Sequence, residues 1–292
     1  MPYAATIGFF DGVHLGHQYL LQRLKRYADE LRLKPMVVTF QEHPRQVLSG
    51  VCPPLLNTLE ERRQLLYEAG AERVVVLPFA EVQPLTAQEF MLYLHNRYDV
   101  RFLLMGYDHR FGNTPSGVLP SHTDYIAGGK SSGIKVQFEE GWRAGTSYPS
   151  SSAIRRALET GDVKAANDIL GRTYSITGTV VHGDGIGRTI DFPTANLQLD
   201  NPLRLIPLNG VYAVSVRIGN EHTFKKGIMN IGVRPTVTDG KQRSLEVYLP
   251  SFSRNLYGCQ LTVGFLRRLR DERKFSSLQA LREQIEQDID SY

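Results

Sequence analysis

Ile7-Gly8-Phe9-Phe10-Asp11-Gly12-Val13-His14-Leu15-Gly16-His17 starts as an apolar strand and breaks into a glycine-containing turn that carries two histidines, His14 and His17. A helix follows, with Leu20, Leu21, Leu24, Ala28 and Leu31 on one face at helical spacing. A strand, a tight turn and a helix N-terminus in succession form an anion site. Unpaired backbone N–H groups and the positive end of the helix dipole both point at whatever sits there. Two imidazoles at such a site can touch a phosphate chain as charge builds on it.

Working outward from this turn, the first half of the chain alternates strands and helices. Ala4–Phe10, Met36–Phe40, Arg73–Phe79 and Arg101–Met105 read as apolar strands. Thr58 with Glu61, and Thr86 with Glu89, read as capping boxes that open helices, and Gly70 as a helix stop. The alternation predicts a doubly wound, Rossmann-like parallel sheet. Ligands in such sheets bind at the carboxyl ends of strands. The His14/His17 turn and the Gly106–Gly112 turn both fall at such ends. Asn113–Lys130, rich in Gly, Ser and Pro, reads as a loop. Ser150–Leu158 and Asp162–Leu170 read as two short helices that close a first domain spanning residues 1–170.

The pattern changes near Gly171. Ser175–Val181, Val211–Ile218, Lys226–Ile231, Leu245–Leu249 and Gln260–Leu266 are short β-branched or alternating segments separated by Gly and Pro turns. That is the pattern of an antiparallel barrel or sandwich, placed here in a second domain, residues 171–292. A terminal helix follows, with Ser276 and Gln279 as a capping box and Leu278, Leu281, Ile285 and Ile289 as its apolar stripe.

The 292 residues suit about two domains. No segment approaches the roughly 18 apolar residues that span a bilayer. Met1-Pro2-Tyr3 leads into a strand without the charged-then-apolar pattern of a secretory leader. A cytoplasmic protein with no membrane partner is expected. Cys52 and Cys259 are too far apart for a Cys-x-x-Cys metal site, and two cysteines make no disulfide scaffold. The net charge of +4 suits an anionic substrate such as ATP. With no long Lys/Arg block, nucleic acid is not expected as a partner. His14, His17, His43 and His109 have no recognisable zinc spacing.

Several segments carry further chemistry. Gly106-Tyr107-Asp108-His109-Arg110-Phe111-Gly112 follows a strand. Ser150-Ser151-Ser152 opens a helix whose hydroxyls and N–H groups suit phosphate, with Arg155 one turn in. In the second domain, Gly183-Asp184-Gly185-Ile186-Gly187-Arg188 precedes Phe192-Pro193-Thr194-Ala195-Asn196. This is neither a Gly-x-Gly-x-x-Gly fingerprint nor a Walker-type P-loop. Thr194 and Asn196, alternate residues of an extended stretch, point the same way, and two neutral oxygens side by side can hold Mg²⁺ with ATP phosphates.

His-x-Gly-His in its strand–turn–helix setting resembles the signature of the nucleotidylyltransferase superfamily. Gly-Arg-x-x-x-Phe-Pro-Thr-Ala-Asn, Gly210-Val211-Tyr212-Ala213, Asn230-Ile231-Gly232-Val233-Arg234-Pro235-Thr236, Leu245-Glu246-Val247-Tyr248-Leu249 and Arg270-Asp271-Glu272-Arg273-Lys274-Phe275 resemble riboflavin kinase. In this order the chain resembles the bifunctional prokaryotic riboflavin kinase/FMN adenylyltransferase (FAD synthetase) family. The resemblance implies a C-terminal Greek-key β-barrel that phosphorylates riboflavin to FMN with ATP, releasing ADP. It implies an N-terminal domain that adenylylates FMN to FAD, releasing pyrophosphate. Mg²⁺ accompanies ATP in both.

By the same resemblance, Thr194 and Asn196 hold the metal and ATP phosphates, and Gly183, Gly185, Gly187 and Arg188 cover the nucleotide. Glu246 is the general base, and Arg270, Glu272 and Phe275 line the flavin side. In the first domain His14, His17 and Arg155 act on the phosphates, and Gly8, Phe9, Asp11, Asp108, Ser150, Ser151 and Ser152 contact ATP. The chain departs from the family pattern at Ser152 (usually Thr), His109 (often another aromatic), Asp191 (usually Gly) and Tyr248 (commonly His).

Overall fold

The computed structural model describes residues 1–114, 117–143, 148–183, 192–234, 242–250, 252–273 and 275–292. The chain divides into two compact units, Met1–Ser151 and Ser152–Tyr292.

The first unit runs β1 (Tyr3–Ile7), α1 (Leu15–Leu31), β2 (Lys34–Phe40), α2 (Pro44–Ser49), α3 (Leu59–Glu68), β3 (Arg73–Leu77), α4 (Phe79–Val82), α5 (Ala87–Tyr98), β4 (Val100–Gly106), α6 (His122–Ser131) and β5 (Lys135–Glu139). The strands pair in parallel in the order β3-β2-β1-β4-β5. The predicted doubly wound sheet is what forms. Both faces are covered. Ala5, Ile7, Met36 and Val38 pack with Phe90 and Met91 of α5 and Tyr125 of α6. On the opposite face Ala4, Phe102 and Leu104 meet Leu24 and Ala28 of α1. Val37 and Val74 meet Leu21 and Leu66 there, from α1 and α3. The strand order reverses between β1 and β4, which opens the ligand crevice at their carboxyl ends.

Three details differ from the sequence reading. β1 ends at Ile7, because Phe10 has left-handed backbone (φ 56°) and already belongs to the turn. Leu31 is exposed, whereas Leu21, Leu24 and Ala28 carry the stripe of α1. The segment read as a loop over 113–130 contains all of α6 but its last residue, opened by a capping box of Ser121 and Asp124. Its glycines serve packing rather than loop freedom. A Cβ on Gly129 would stand 2.7 Å from the Ile134 carbonyl oxygen, and one on Gly128 would stand 2.9 Å from Met91 Cε.

The second unit takes up α7 (Ser151–Glu159), whose first residue closes the first unit, then α8 (Val163–Leu170), β6 (Ser175–Val181), β7 (Thr194–Leu199), β8 (Gly210–Ile218), β9 (Lys225–Arg234), β10 (Gln242–Tyr248), β11 (Gln260–Arg270) and α9 (Leu278–Asp290). The described strands close a barrel in the order β10-β7-β6-β11-β8-β9, every pair antiparallel. This decides barrel over sandwich. β7, which the sequence reading treated only as an extended stretch, is a full barrel strand. Met229, Ile231, Leu245, Val247 and Val263 are buried in the unit. α8 is tied to β11 by Asn167, whose amide donates to the Phe265 carbonyl at 2.8 Å while its oxygen accepts from Tyr174 N–H at 2.6 Å. α9 is capped by Ser277, one residue later than expected, its hydroxyl accepting from Ala280 N–H.

Candidate active sites

In the first unit the site begins with a strained turn. Phe10, Gly12 and Val13 all have left-handed backbone, with φ of 56°, 84° and 39°. For a β-branched valine this is a costly conformation. Several hydrogen bonds hold it. Val13 N–H donates to Phe10 O at 3.1 Å, and Thr39 Oγ1 donates to Phe9 O at 3.1 Å. The Gln18 amide donates to Val13 O at 2.9 Å, and Ser151 Oγ to Asp11 O at 2.8 Å. The turn delivers His14 to the N-cap of α1, where its Nδ1 accepts from His17 N–H at 3.4 Å. The two imidazoles stack, with centroids 3.6 Å apart and planes 19° from parallel. Phe10 meets His17 edge-on at 5.1 Å. His14 is buried and His17 half-buried. A Cβ on Gly16 would crowd this ring, standing 3.2 Å from His14 Nδ1. The sequence thus places both rings at the positive end of α1, above the crevice.

Asp11, expected among the ATP contacts, is buried. Its Oδ1 accepts from Leu56 N–H at 3.0 Å and from Asn57 N–H at 3.3 Å. Beside it lies a residue the sequence reading passed over. Arg62 is 1% exposed, its guanidinium lies 3.9 Å over the Phe9 ring, and its Nη2 donates to Phe40 O at 2.5 Å. Burial lowers its pKa to about 10 even though the Asp11 charge favours the protonated form. Nothing in the sequence marked it, because an arginine in the first turns of a capped helix reads as solvated.

The second crevice segment keeps Tyr107 and Asp108 exposed. Arg110 donates to the carbonyls of Tyr107 and His109 at 2.8 and 2.7 Å, which rigidifies the turn. His109 Nε2 is shielded without a hydrogen-bond partner, and burial, with Arg110 adding to it, lowers the ring's pKa to about 4. Ser150 and Ser151 are half-buried and Ser152 is exposed at the start of α7, and Arg155 lies one turn further on, among residues of the second unit.

In the barrel, register does the assembly. Asn196 on β7 lies opposite Glu246 on β10, and Thr194 lies opposite Tyr248. Thr194 Oγ1 donates to Glu246 Oε2 at 3.3 Å. Met229 and Val247, in the other alternation, are buried, so Thr194, Asn196 and Glu246 share the barrel's outer face. Gly183 comes so close that an added Cβ would fall on the Asn196 side chain. Phe192 meets Tyr248 edge-on at 5.2 Å, and burial raises the Tyr248 phenol's pKa. Gly185, Gly187, Arg188 and Asp191 lie outside the described residues.

Of the residues expected to line the flavin, Arg270 is ion-paired with Asp288 of α9 at 2.8 Å, and its guanidinium lies 5.6 Å from the Phe275 ring centroid. The Glu272 carboxylate occupies the space over Gly232, whose missing Cβ would otherwise collide with it.

The strand-order reversal under paired imidazoles marks a nucleotide-handling α/β unit, and the barrel face offers a carboxylate among neutral oxygen donors. The class is a two-domain, nucleotide-dependent transferase. Comparison with known proteins agrees. Residues 2–140 match the FAD synthetase family and residues 170–292 the riboflavin kinase family. The chain is 38% identical over 291 residues to the bifunctional riboflavin kinase/FMN adenylyltransferase of Haemophilus influenzae, covering 99% of this chain and 92% of that one. It is 37% identical over 288 residues to the protein of the same name from Bacillus subtilis, covering 97% and 89%. A solved structure described as a macrolide-efflux protein from Streptococcus pneumoniae superposes with a TM-score of 0.87 at 31% identity, covering 99% of this chain and 93% of that one. Among the described residues of this chain, no helix is long and apolar enough to cross a membrane. The chain belongs to the bifunctional riboflavin kinase/FMN adenylyltransferase family.

Proposed function

We propose a division of labour within one bifunctional enzyme. The chain phosphorylates riboflavin to FMN with ATP and adenylylates FMN to FAD with release of pyrophosphate. We assign the first reaction to residues 171–292 and the second to residues 1–170. The family match that starts at residue 170 supports that boundary, although residues 152–170 cluster with the barrel.

The stacked His14/His17 pair at the α1 N-terminus is the observation that carries the adenylyltransferase assignment. The FMN phosphate is already a nucleophile at neutral pH. Its oxygen attacks the α-phosphorus of ATP and pyrophosphate leaves, so the protein's task is alignment and charge stabilisation. His14, His17 and the α1 N–H groups supply this, with Asp108, Gly8, Phe9, Ser150 and Ser151 as the further ATP contacts of the first unit. Asp11 acts from behind, by fixing the 56–57 backbone against the turn.

In the barrel, Glu246 takes the proton of the terminal ribityl hydroxyl as its oxygen attacks the γ-phosphorus and ADP leaves. The hard oxygens of Thr194 and Asn196, beside a carboxylate and under the close approach of Gly183, fit Mg²⁺. Once bound with ATP, the ion neutralises phosphate charge. Arg270 serves the flavin side by holding the segment that carries Glu272 and Phe275. The testing experiment is chromatography of the products from riboflavin, ATP and Mg²⁺. FMN followed by FAD is expected. If neither product forms from folded protein that binds ATP, the assignment fails.

A further inference from the structure

Glu246 has a second neighbour directly across the ladder. β9 pairs with β10 so that Asn230 lies opposite Glu246, just as Asn196 does from β7 on the other side. Directly opposed residues of antiparallel strands share a face, with Cβ atoms about 4.5–5.5 Å apart. Met229 and Ile231 are buried in the barrel, whereas Asn230 is half-buried on the outer face. The carboxylate therefore sits in the middle of an Asn196–Glu246–Asn230 row.

The two flanking amides have different surroundings. Asn196 lies under Gly183, within the phosphate-side set. Asn230 lies on the side away from it. Its same-face neighbours along β9 are Ile228, which is apolar, and Gly232, which has no side chain. Beyond Gly232 stands the Glu272 carboxylate, from the segment assigned to the flavin. Among the described residues the Asn230 side chain makes no hydrogen bond. A half-buried amide with no protein partner is available to a ligand that presents both a donor and an acceptor.

We propose that Asn230 is a substrate-positioning residue of the kinase site, and that its amide binds the ribityl hydroxyl adjacent to the one that is phosphorylated. The inference rests on the reading of Glu246 as the base. The chemistry matches. A primary amide carries a donor and an acceptor, and a polyol chain presents both on each hydroxyl. With Glu246 engaging the terminal hydroxyl, a group one ladder position further from the phosphates meets the next carbon of the chain. A site built to bond a hydroxyl rejects the analogue that lacks it, so Asn230 also sets specificity for a polyol tail.

The test compares riboflavin with its analogue lacking only that adjacent hydroxyl, as substrates for the full chain and for Asn230→Ala. The wild type is expected to lose about 10- to 100-fold in kcat/KM with the deoxy analogue. Asn230→Ala is expected to show the same loss with riboflavin and no further loss with the analogue. Multiplying losses, or full activity of Asn230→Ala on riboflavin, overturn the proposal. Asn230→Ser replaces the alanine variant if that fails to fold. Glu246→Gln is measured alongside. If it phosphorylates riboflavin at the wild-type rate, the reading of the barrel site falls. If it is inactive while the Asn230 and hydroxyl losses multiply, only the role of Asn230 falls.

Discussion

Asp288 grips Arg270 with both carboxylate oxygens. Oδ1 and Oδ2 lie 3.0 and 3.1 Å from Nε, and Oδ2 lies 2.8 Å from Nη2. The Asp288 side chain is 5% exposed, and Gln284 adds a donor to Oδ1 at 2.9 Å. This pair fastens α9 to the end of β11, where the chain enters the segment proposed to line the flavin. Tyr292 adds a second fastening through its hydroxyl to the Val214 carbonyl at 3.0 Å.

Removing one partner of such a pair leaves the other charge buried. Asp288→Asn is therefore expected to destabilise the barrel unit by about 3 kcal/mol. It should also raise the riboflavin KM of the kinase while FMN-to-FAD conversion persists. Replacing both partners with apolar residues, Arg270→Met with Asp288→Leu, should recover much of the stability. Urea unfolding of the single and double variants checks this. Equal midpoints for Asp288→Asn and the wild type would remove the latch from the account.

His109 makes stability depend on pH. Its pKa is lowered to about 4 from an ordinary 6.5, first by burial and then by Arg110. Between those values the unfolded chain binds the proton and the folded chain does not. The contribution of the neutral ring is therefore complete above pH 6.5 and lost as pH falls toward 4, reaching about 3 kcal/mol. His109→Phe, which restores the aromatic common in the family, should flatten that part of the profile. The check is the urea midpoint of both proteins at pH 7.5 and pH 5. An unchanged difference between the two pH values would assign the acid sensitivity elsewhere.

These residues also show what could be read without coordinates. The β1–turn–α1 unit and the boxes at Thr58 and Thr86 were legible because strand, cap and turn chemistry act within a few residues. β7 was harder, being a short strand at the end of a glycine-rich stretch. Thr194 and Glu246 are 52 positions apart, and their contact exists only through the β7–β10 register. Alternation along the extended stretch pointed to Thr194, and the family resemblance supplied Glu246, which periodicity could not. Arg62 was invisible for a similar reason, since what buries it is the Phe9 ring on a separate element. Arg270 was legible as important, but its partner lies on a helix whose stripe reads only as packing.

The two sites are separable by single substitutions. Glu246→Gln removes the proposed proton acceptor and leaves the shape. FMN formation should fall by at least about 100-fold, the lower range of general-base contributions, while FMN added directly still becomes FAD. His17→Ala should do the reverse, because it removes one ring of the stacked pair at the α1 N-terminus. Product ratios from riboflavin and from FMN measure both effects in one assay. Loss of both activities in either folded single variant would contradict two independent sites.

Gly16→Ala tests the geometry of the histidine pair without removing a functional group. The added methyl would stand 3.2 Å from His14 Nδ1, 3.3 Å from Cε1 and 3.7 Å from Pro149 Cβ. The backbone there is helical, and alanine favours a helix over glycine by about 1 kcal/mol. Any loss of function must therefore come from the imidazole being pushed aside. A displacement of a few tenths of an ångström disturbs the ring stack and its bond to His17 N–H. Adenylylation should fall by about 2- to 10-fold, since misplacing a group by a full 1 Å costs up to about 100-fold. The melting midpoint and riboflavin phosphorylation should hold. Steady-state rates of both reactions with a melting curve decide the point. A variant as active as the wild type in FAD formation would mean that His14 acts from a position the crowded glycine does not fix.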